Sequence, residues 1–558
     1  MKYITYIFII LLAACASQTT PTGGPKDETP PKLIRSIPDN LTLNFNSQII
    51  ELTFDEYVKV QKQKEQIIIT PSIEGEYEIT IKKNKVSINF PEPFEEKTTY
   101  TINFREAIQD ITESNPAENL KLTFSTGNYI DSLSIAGNVY DVLGYKLADN
   151  ITVGLIRDID TLDIFNYRPL YFTRTDKSGR FQLENIKPGR YNLYAFNDIN
   201  KNLKVDSRNE AYGFLKESID LSESLDSLEI GLLKLDARVL KVSSARQTGT
   251  LFLTKLSKGI VSYNIDFEEN DSLYIHHIAD FNSAIKIYPK DRVTDSVYYK
   301  LTAIDSIGNS LDTTLLYKVD FTARRIPENF DVKTEPANLF VERGNIEKSF
   351  RFNKPIKYIN FDSIYFYVDS LITIPITIKD LNIDSLHNSI KLNLQLDKSV
   401  IDSLLKVKSA PPRSSREEVR LVARSPELYF GKGAFITVEN DSNKVIKENP
   451  KQVKYENTGS ILIETSTNEE SFIIQILDTK NLVVSEMKNV NKAIFRYLKP
   501  GDYRIRVLID SNKNASWDLG NYFKKELPEP VYIYKNSEGS EIIKLLANWE
   551  IGPLMLTF

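Results

Sequence analysis

Apolar and polar positions alternate with a period of two over much of this chain. Val86, Ile88 and Phe90 are separated by polar residues, as are Leu120, Leu122 and Phe124. Such alternation sends one face of a strand into a core and the other into water. Short β-branched runs, among them 49–54, 65–70 and 85–90, are broken by turn residues roughly every 8–12 positions, which predicts sandwiches of short strands. One stretch has helical spacing instead: 397–408 carries Val400, Ile401, Leu404 and Leu405 with polar residues between them. The following segment 409–415, which contains Pro411 and Pro412, reads as a loop.

The pattern repeats. Ile186-Lys187-Pro188-Gly189-Arg190-Tyr191 returns as Leu498-Lys499-Pro500-Gly501-Asp502-Tyr503, a shift of 312 that also carries Asp198, Asn200, Asn202 and Asp206 onto Asp510, Asn512, Asn514 and Asp518. A weaker echo at a shift of 298 relates Pro38, Asn40 and Phe54 to Pro336, Asn338 and Phe352. Repetition at this scale marks duplicated structural units. The order is A–B, an intervening segment, then A′–B′. It divides the chain into modules at 31–128, 129–235, 236–322, 323–458 and 459–558. That count fits 558 residues at roughly 100 per β-sandwich.

Composition narrows the function classes. Hydrophobic residues at 41% and charged residues at 26% describe a folded chain. Aromatics at 11%, mostly Tyr and Phe, favour strands over helices. A net charge of −5 leaves no basic excess to neutralise phosphates, which argues against a nucleic-acid partner. One cysteine rules out an intrachain disulfide, and three histidines leave little for His-based zinc sites.

The single cysteine sits at the end of the apolar run 4–14. Eleven residues at ~1.5 Å each fall short of a ~30 Å hydrocarbon core, so the run predicts an export signal rather than a permanent span. Leu12-Ala13-Ala14-Cys15 resembles the lipobox of bacterial lipoproteins. The resemblance implies cleavage after residue 14, acylation of Cys15 and attachment to a membrane. Residue 16 is Ala rather than Asp, which under the enterobacterial sorting rule disfavours retention in the inner membrane. Residues 15–30 then form a tether rich in Pro, Gly and Thr, similar in composition to tethers of Bacteroidota surface lipoproteins.

Two further resemblances concern the modules. Ser36-Ile37-Pro38-Asp39-Asn40, Phe54-Asp55-Glu56 and Phe124-Ser125-Thr126-Gly127 resemble the bacterial Ig-like domain named after the SbsA S-layer protein. In 323–458 that resemblance is degenerate, with Phe352-Asn353-Lys354-Pro355 in place of the Phe-Asp-Glu core. Thr175 to Leu183, followed by Ile186 to Tyr191, resembles transthyretin-like repeats of the carboxypeptidase-regulatory and collagen-adhesin B types. Both resemblances imply non-catalytic scaffold modules. Read from the residues alone, Asp176–Gly179 is a hairpin turn, and Pro188-Gly189 predicts a type II turn with Gly189 at positive φ. The second copy has Lys488–Asn491 in place of the Asp-x-x-Gly turn.

Candidate chemistry is sparse. Asp198, Asn200, Asn202, Lys204 and Asp206 stand at positions 1, 3, 5, 7 and 9 of a loop, as do Asp510, Asn512, Asn514, Ser516 and Asp518. Side-chain oxygens at 1, 3, 5 and 9, with the backbone carbonyl of Lys204 or Ser516 at 7, match the start of a calcium loop. Position 6 is Leu203 or Ala515 rather than Gly, and position 12 is Asn209 or Asn521 rather than Glu. Two readings therefore stand: structural calcium, or hairpins whose Asx side chains cap their own backbone. Trp517 lies within the second loop, as a packed residue or as a contact for sugar or protein. His276 and His277 are adjacent on a strand and face opposite sides, and His387 reads as a loop residue. No nucleophile elbow, zinc-protease or phosphate-loop motif appears.

The expectation is an all-β chain of tandem Ig-like and transthyretin-like sandwiches behind a lipoprotein signal peptide. It has no catalytic role, is anchored at Cys15 to the outer membrane or cell surface, and acts in structure or adhesion. A glycan- or peptide-binding surface module is the alternative, with a hydrolase behind it.

Overall fold

A computed structural model describes residues 26–558 apart from 401–425, 319–327 and shorter stretches at 74, 145–146, 148–149, 160, 249–250, 269–270, 280–281, 291–295, 336–338, 342–343, 369–371, 385–387, 398–399 and 453–456. Cys15, most of the helical stretch 397–408, the loop 409–415 and His387 lie outside the described residues. Its regular secondary structure is almost entirely strand. Among the described residues no helix is long and apolar enough to cross a membrane.

The alternation seen in the sequence becomes burial. Ile50, Leu52 and Phe54 are fully buried, with Val86 and Ile88 on the next strand and Phe124 across the sandwich. Among the described residues, buried apolar side chains gather in five large successive clusters, spanning 50–124, 135–232, 240–317, 339–435 and 461–556, with a smaller one of Leu251, Leu253, Ala284 and Tyr288 against which Val438 packs. Each large cluster draws on one stretch of chain, as expected when each sheet pair closes over its own core.

The duplication is visible in the strand order. In 129–235 the strand Leu133–Asp141 lies between Arg180–Ile186, antiparallel, and Leu225–Leu232, parallel. In 459–558 Gly459–Ser466 lies in the same way between Lys492–Leu498 and Glu550–Thr557. The opposing sheets also correspond, with Thr152–Arg157 and Phe472–Leu477 each second from an edge. The modules 31–128 and 323–458 share a plan too. The order Leu33–Ile37, Ile49–Phe54, Lys85–Asn89, Glu78–Lys82 is matched by Val332–Glu335, Asn345–Phe352, Ser389–Gln395, Leu381–Ile383. The intervening segment is a four-plus-three-stranded sandwich, in which the buried Thr254 hydroxyl meets both Tyr299 and Tyr317.

The departure from the Ig-like motif has a physical account. Asp55 accepts the backbone N–H of Lys32 at 2.8 Å, and Asn353 does the same for Asp331 at 2.8 Å. Lys354, in place of Glu56, is buried and paired with Glu439 at 2.8 Å and Asp441 at 2.6 Å. The charge is reversed, but it is neutralised inside the module.

One turn differs from expectation. Gly179 has φ +87°, and Asp176 caps that turn by accepting the N–H groups of Ser178 and Arg180. Gly189 and Gly501, however, are not in the left-handed region. That conformation falls on Asn185 at φ 56° and on its counterpart Tyr497 at φ 61°. The Lys-Pro-Gly-x-Tyr motif instead serves a tyrosine: Tyr191 donates to the Lys187 carbonyl at 2.9 Å, and Tyr503 donates to that of Lys499 at 2.7 Å. The Tyr191 hydroxyl lies 3.3 Å from where a Cβ on Gly189 would sit, so glycine leaves room for the ring to fold back.

The chain divides into two compact units, Met1–Asp141 with Lys146–Leu232, and Val142–Tyr145 with Leu233–Phe558. The expected boundary near 129 therefore lies inside the first unit. There the two modules are tied by Ser72 N–H to the Leu170 carbonyl at 2.6 Å, Asn185 to the Thr101 hydroxyl at 2.8 Å, and Lys121 to Glu184 at 2.6 Å. In the second unit, Asn521 donates to the Ile307 carbonyl at 2.6 Å and Lys524 to that of Gly308 at 3.1 Å.

Candidate functional site

The two Asx loops follow equivalent strands, Gly189–Phe196 and Gly501–Ile509. Each needs two left-handed residues to turn, Lys201 and Leu203 in the first, Lys513 and Ala515 in the second. The polar positions of the motif hold this turn. Asp198 accepts the N–H of Asn202 at 3.1 Å, Asn200 accepts the same N–H at 3.0 Å, and Asn202 accepts that of Lys204 at 2.7 Å. In the second loop Asp510 and Asn512 accept the N–H of Asn514 at 3.0 Å each, and Asn514 accepts that of Ser516 at 2.9 Å. At position 7 the loop thus uses the N–H of Lys204 or Ser516. Asp206 caps the N–H of Arg208 at 3.1 Å, and Asp518 receives the side-chain amides of Asn512 and Asn514.

A residue outside the motif closes each loop. Glu210, 1% exposed, accepts the N–H groups of Ile199 at 2.9 Å, Asn200 at 3.4 Å and Asp206 at 2.8 Å. Glu529 accepts those of Asn512 at 3.1 Å and Asp518 at 2.8 Å. These are the same two loop positions, so the two glutamates are structural counterparts. Sequence comparison misses them because the second loop is seven residues longer between its Asp518 and Glu529 than the first is between Asp206 and Glu210. The available signal was local: each glutamate stands two residues before the next strand, Tyr212–Phe214 or Val531–Ile533. Trp517 packs under its loop, donating from Nε1 to the Glu529 carbonyl at 2.9 Å.

Each loop also has a side-chain cation from the neighbouring edge strand. Arg174 and Lys488 occupy equivalent register positions, opposite Thr152 and Ile473. The Arg174 guanidinium lies 3.7 Å from the buried Asp198 carboxylate, and Lys488 donates to the Ala515 carbonyl at 3.3 Å. Burial pushes the Asp198 carboxyl above the usual range, with Arg174 opposing. Burial also raises Glu210, against its three backbone donors. For Asp510 burial acts upward too, but the Ser471 hydroxyl and the N–H groups of Ala515, Asn514 and Lys513 outweigh it and hold the carboxyl below its ordinary value. Among the described residues no three His, Cys, Asp or Glu side chains are grouped to hold a metal. The amide oxygens at positions 3 and 5 each accept a backbone N–H and keep a second lone pair for another partner.

His276 and His277 do face opposite sides: His276 Nδ1 meets the Tyr263 hydroxyl at 3.0 Å, while His277 is 2% exposed and stacks on Tyr288.

Residues 27–126 match the model of a bacterial Ig-like domain, and residues 156–207 match that of polysaccharide lyase family 4, domain II. No curated protein matches. Among solved structures, the TIE protein of Bacillus anthracis is 9% identical, covering 100% of this chain and 79% of its own, with a TM-score of 0.12. BcpA, the major pilin subunit of Bacillus cereus, is 10% identical over 76% of this chain and 98% of its own, at 0.13. The Bacteroides ovatus mixed-linkage glucan utilization locus protein SGBP-B, solved with a mixed-linkage heptasaccharide, is 11% identical over 71% and 92%, at 0.14. Similarities this low carry no argument about what the chain does. The first module is thus similar to bacterial Ig-like domains, and the whole described chain is all-β.

Proposed function

We propose that this chain is a non-catalytic lipoprotein of the outer membrane or cell surface, anchored through acylated Cys15 and presenting tandem sandwiches to a protein or glycan beyond the membrane. The observation that carries the reading is the succession of five large sandwich cores along one chain. Such modules extend a surface outward and need no chemistry of their own. The 16 residues 15–30, rich in Pro and Gly, supply a tether between the acyl chains and the first strand at Leu33. Cell fractionation of the wild type and Cys15→Ser tests the anchor. The wild type should partition with membranes, and the variant should appear in the soluble fraction or keep its signal. Unchanged membrane partitioning and processing of the variant would defeat the reading.

Structural calcium at the Asx loops belongs to this proposal as a secondary element. The second loop is its better host, because Lys488, in the position of Arg174, reaches the Ala515 carbonyl, whereas Arg174 lies against the Asp198 carboxylate itself. Asp510, Asn512, Asn514 and Asp518 side chains, with the Ser516 carbonyl, would hold the ion, which would brace a loop exposed to extracellular calcium.

A further inference from the structure

The first module carries a groove of about 610 Å³ between the segments 44–48, 93–97 and 126–128, in the size range of small-ligand sites. Its walls are fixed before any ligand arrives. The N–H of Asn44 donates to the Gly127 carbonyl at 2.8 Å, and that of Phe45 to the Ser125 carbonyl at 2.9 Å. Gln48 clamps the opposite wall through its amide, at 3.2 Å to the Phe90 carbonyl and 3.0 Å to that of Pro91. A Cβ on Gly127 would lie 3.0 Å from the Lys97 Cα, so this glycine lets two walls approach.

The floor is aromatic. Phe45 and Phe94 are half-buried with ring centroids 6.4 Å apart, and Phe94 is braced against Tyr100 at 4.7 Å and Phe124 at 5.1 Å. The rim carries three exposed amides, Asn44, Asn46 and Asn128. The remaining charged lining groups are Glu96 and Lys97, adjacent and of opposite sign, so the groove selects neither anions nor cations.

We propose that this groove binds a neutral carbohydrate chain. An amide offers a donor and an acceptor side by side, which suits neighbouring hydroxyls, and a fixed aromatic floor suits the apolar C–H face of a sugar ring. A peptide added as an extra strand would need unpaired backbone groups on the wall. Here the N–H groups of Asn44, Phe45 and Thr126 are taken by the carbonyls of Gly127, Ser125 and Thr98. Recognition therefore falls to the side-chain amides and the rings. This inference does not depend on the lipid anchor.

The test uses the full-length mature protein in a detergent without a sugar headgroup, titrated with immobilised linear glucan, mannan, xylan and galactan, with polygalacturonate, and with a casein peptide digest. The proposal expects retention on at least one neutral polysaccharide. It also expects at least tenfold weaker binding by Asn46→Ala/Asn128→Ala, whose exposed positions leave the melting temperature unchanged. Lack of retention on all four neutral polysaccharides, retention confined to polygalacturonate or peptides, or unchanged affinity in the double variant would each overturn it.

Discussion

The two B modules share strand order, the tyrosine that donates back to the lysine carbonyl of the Lys-Pro-Gly turn, and a glutamate that closes the Asx loop. They differ in how the first aspartate of that loop is satisfied. Burial holds the Asp198 carboxyl above its ordinary value despite a guanidinium and backbone donors, whereas at Asp510 a hydroxyl and backbone donors outweigh burial and hold it below. The edge strand also differs. In the first module the Leu170 carbonyl is taken by Ser72 of the adjacent Ig-like module, whereas Val483 and Val484, at the corresponding end of the second edge strand, are each 46% exposed. The same fold thus tolerates two electrostatic solutions at one loop, provided each buried carboxylate finds donors.

The largest expected contrast follows from the strand cations. Arg174→Ala leaves Asp198 buried without its partner and should cost about 3 kcal/mol at neutral pH. Lys488→Ala removes an exposed side chain and should stay within about 0.5 kcal/mol. Denaturant unfolding of the full chain, with each module followed by hydrogen exchange, measures both; equal costs would erase the proposed difference. Next come the closing glutamates. Glu210→Ala and Glu529→Ala each orphan backbone N–H groups and should each cost about 2 kcal/mol, so a large effect in only one would break the equivalence of the two loops.

Acidification sharpens the comparison with opposite signs. The folded value of Asp198 lies above its unfolded value of 3.8. Its contribution is therefore fully present below that value and is lost as pH rises through the folded one. Asp510 is depressed below 3.8, so its contribution is present above that value and lost as pH falls through the folded one. Between neutrality and the ordinary carboxylate range, protection of the first loop should rise and that of the second should stay flat. Below that range the second should fall. Hydrogen exchange across this pH series reads both, and Asp198→Asn and Asp510→Asn should remove the respective trends. The smallest effect is calcium. At an ion concentration equal to its dissociation constant the gain is only about 0.4 kcal/mol, expected in the second loop and absent from the first while Arg174 is in place. A response confined to the first loop would reverse the assignment.

Much of this architecture was legible in the sequence because its causes are local. Alternation at Val86, Ile88 and Phe90 needs only the pleat, and the repeat around Tyr191 and Tyr503 needs only a turn with a ring folded over it. The Asx spacing offered a capped hairpin as one of two readings, beside structural calcium. What stayed hidden depends on contacts distant or variable in sequence. Arg174 reaches Asp198 because its strand and the one leading into Asp198 flank Thr152–Arg157 in one sheet, and Glu529 is displaced from the position of Glu210 by an insertion. The left-handed residue at the Lys-Pro-Gly turn is Asn185 rather than Gly189, because the tyrosine, not the backbone, dictates the glycine. The groove beside Phe94 was also not visible, since its three walls come from segments about 30 to 80 residues apart.

The anchor is tested most directly by the mass of the N-terminal peptide of the protein isolated from its native membrane. The account predicts a mature chain that begins at Cys15 and carries acyl chains on that residue. An unmodified Cys15, or a mature N-terminus at any other position, would contradict it.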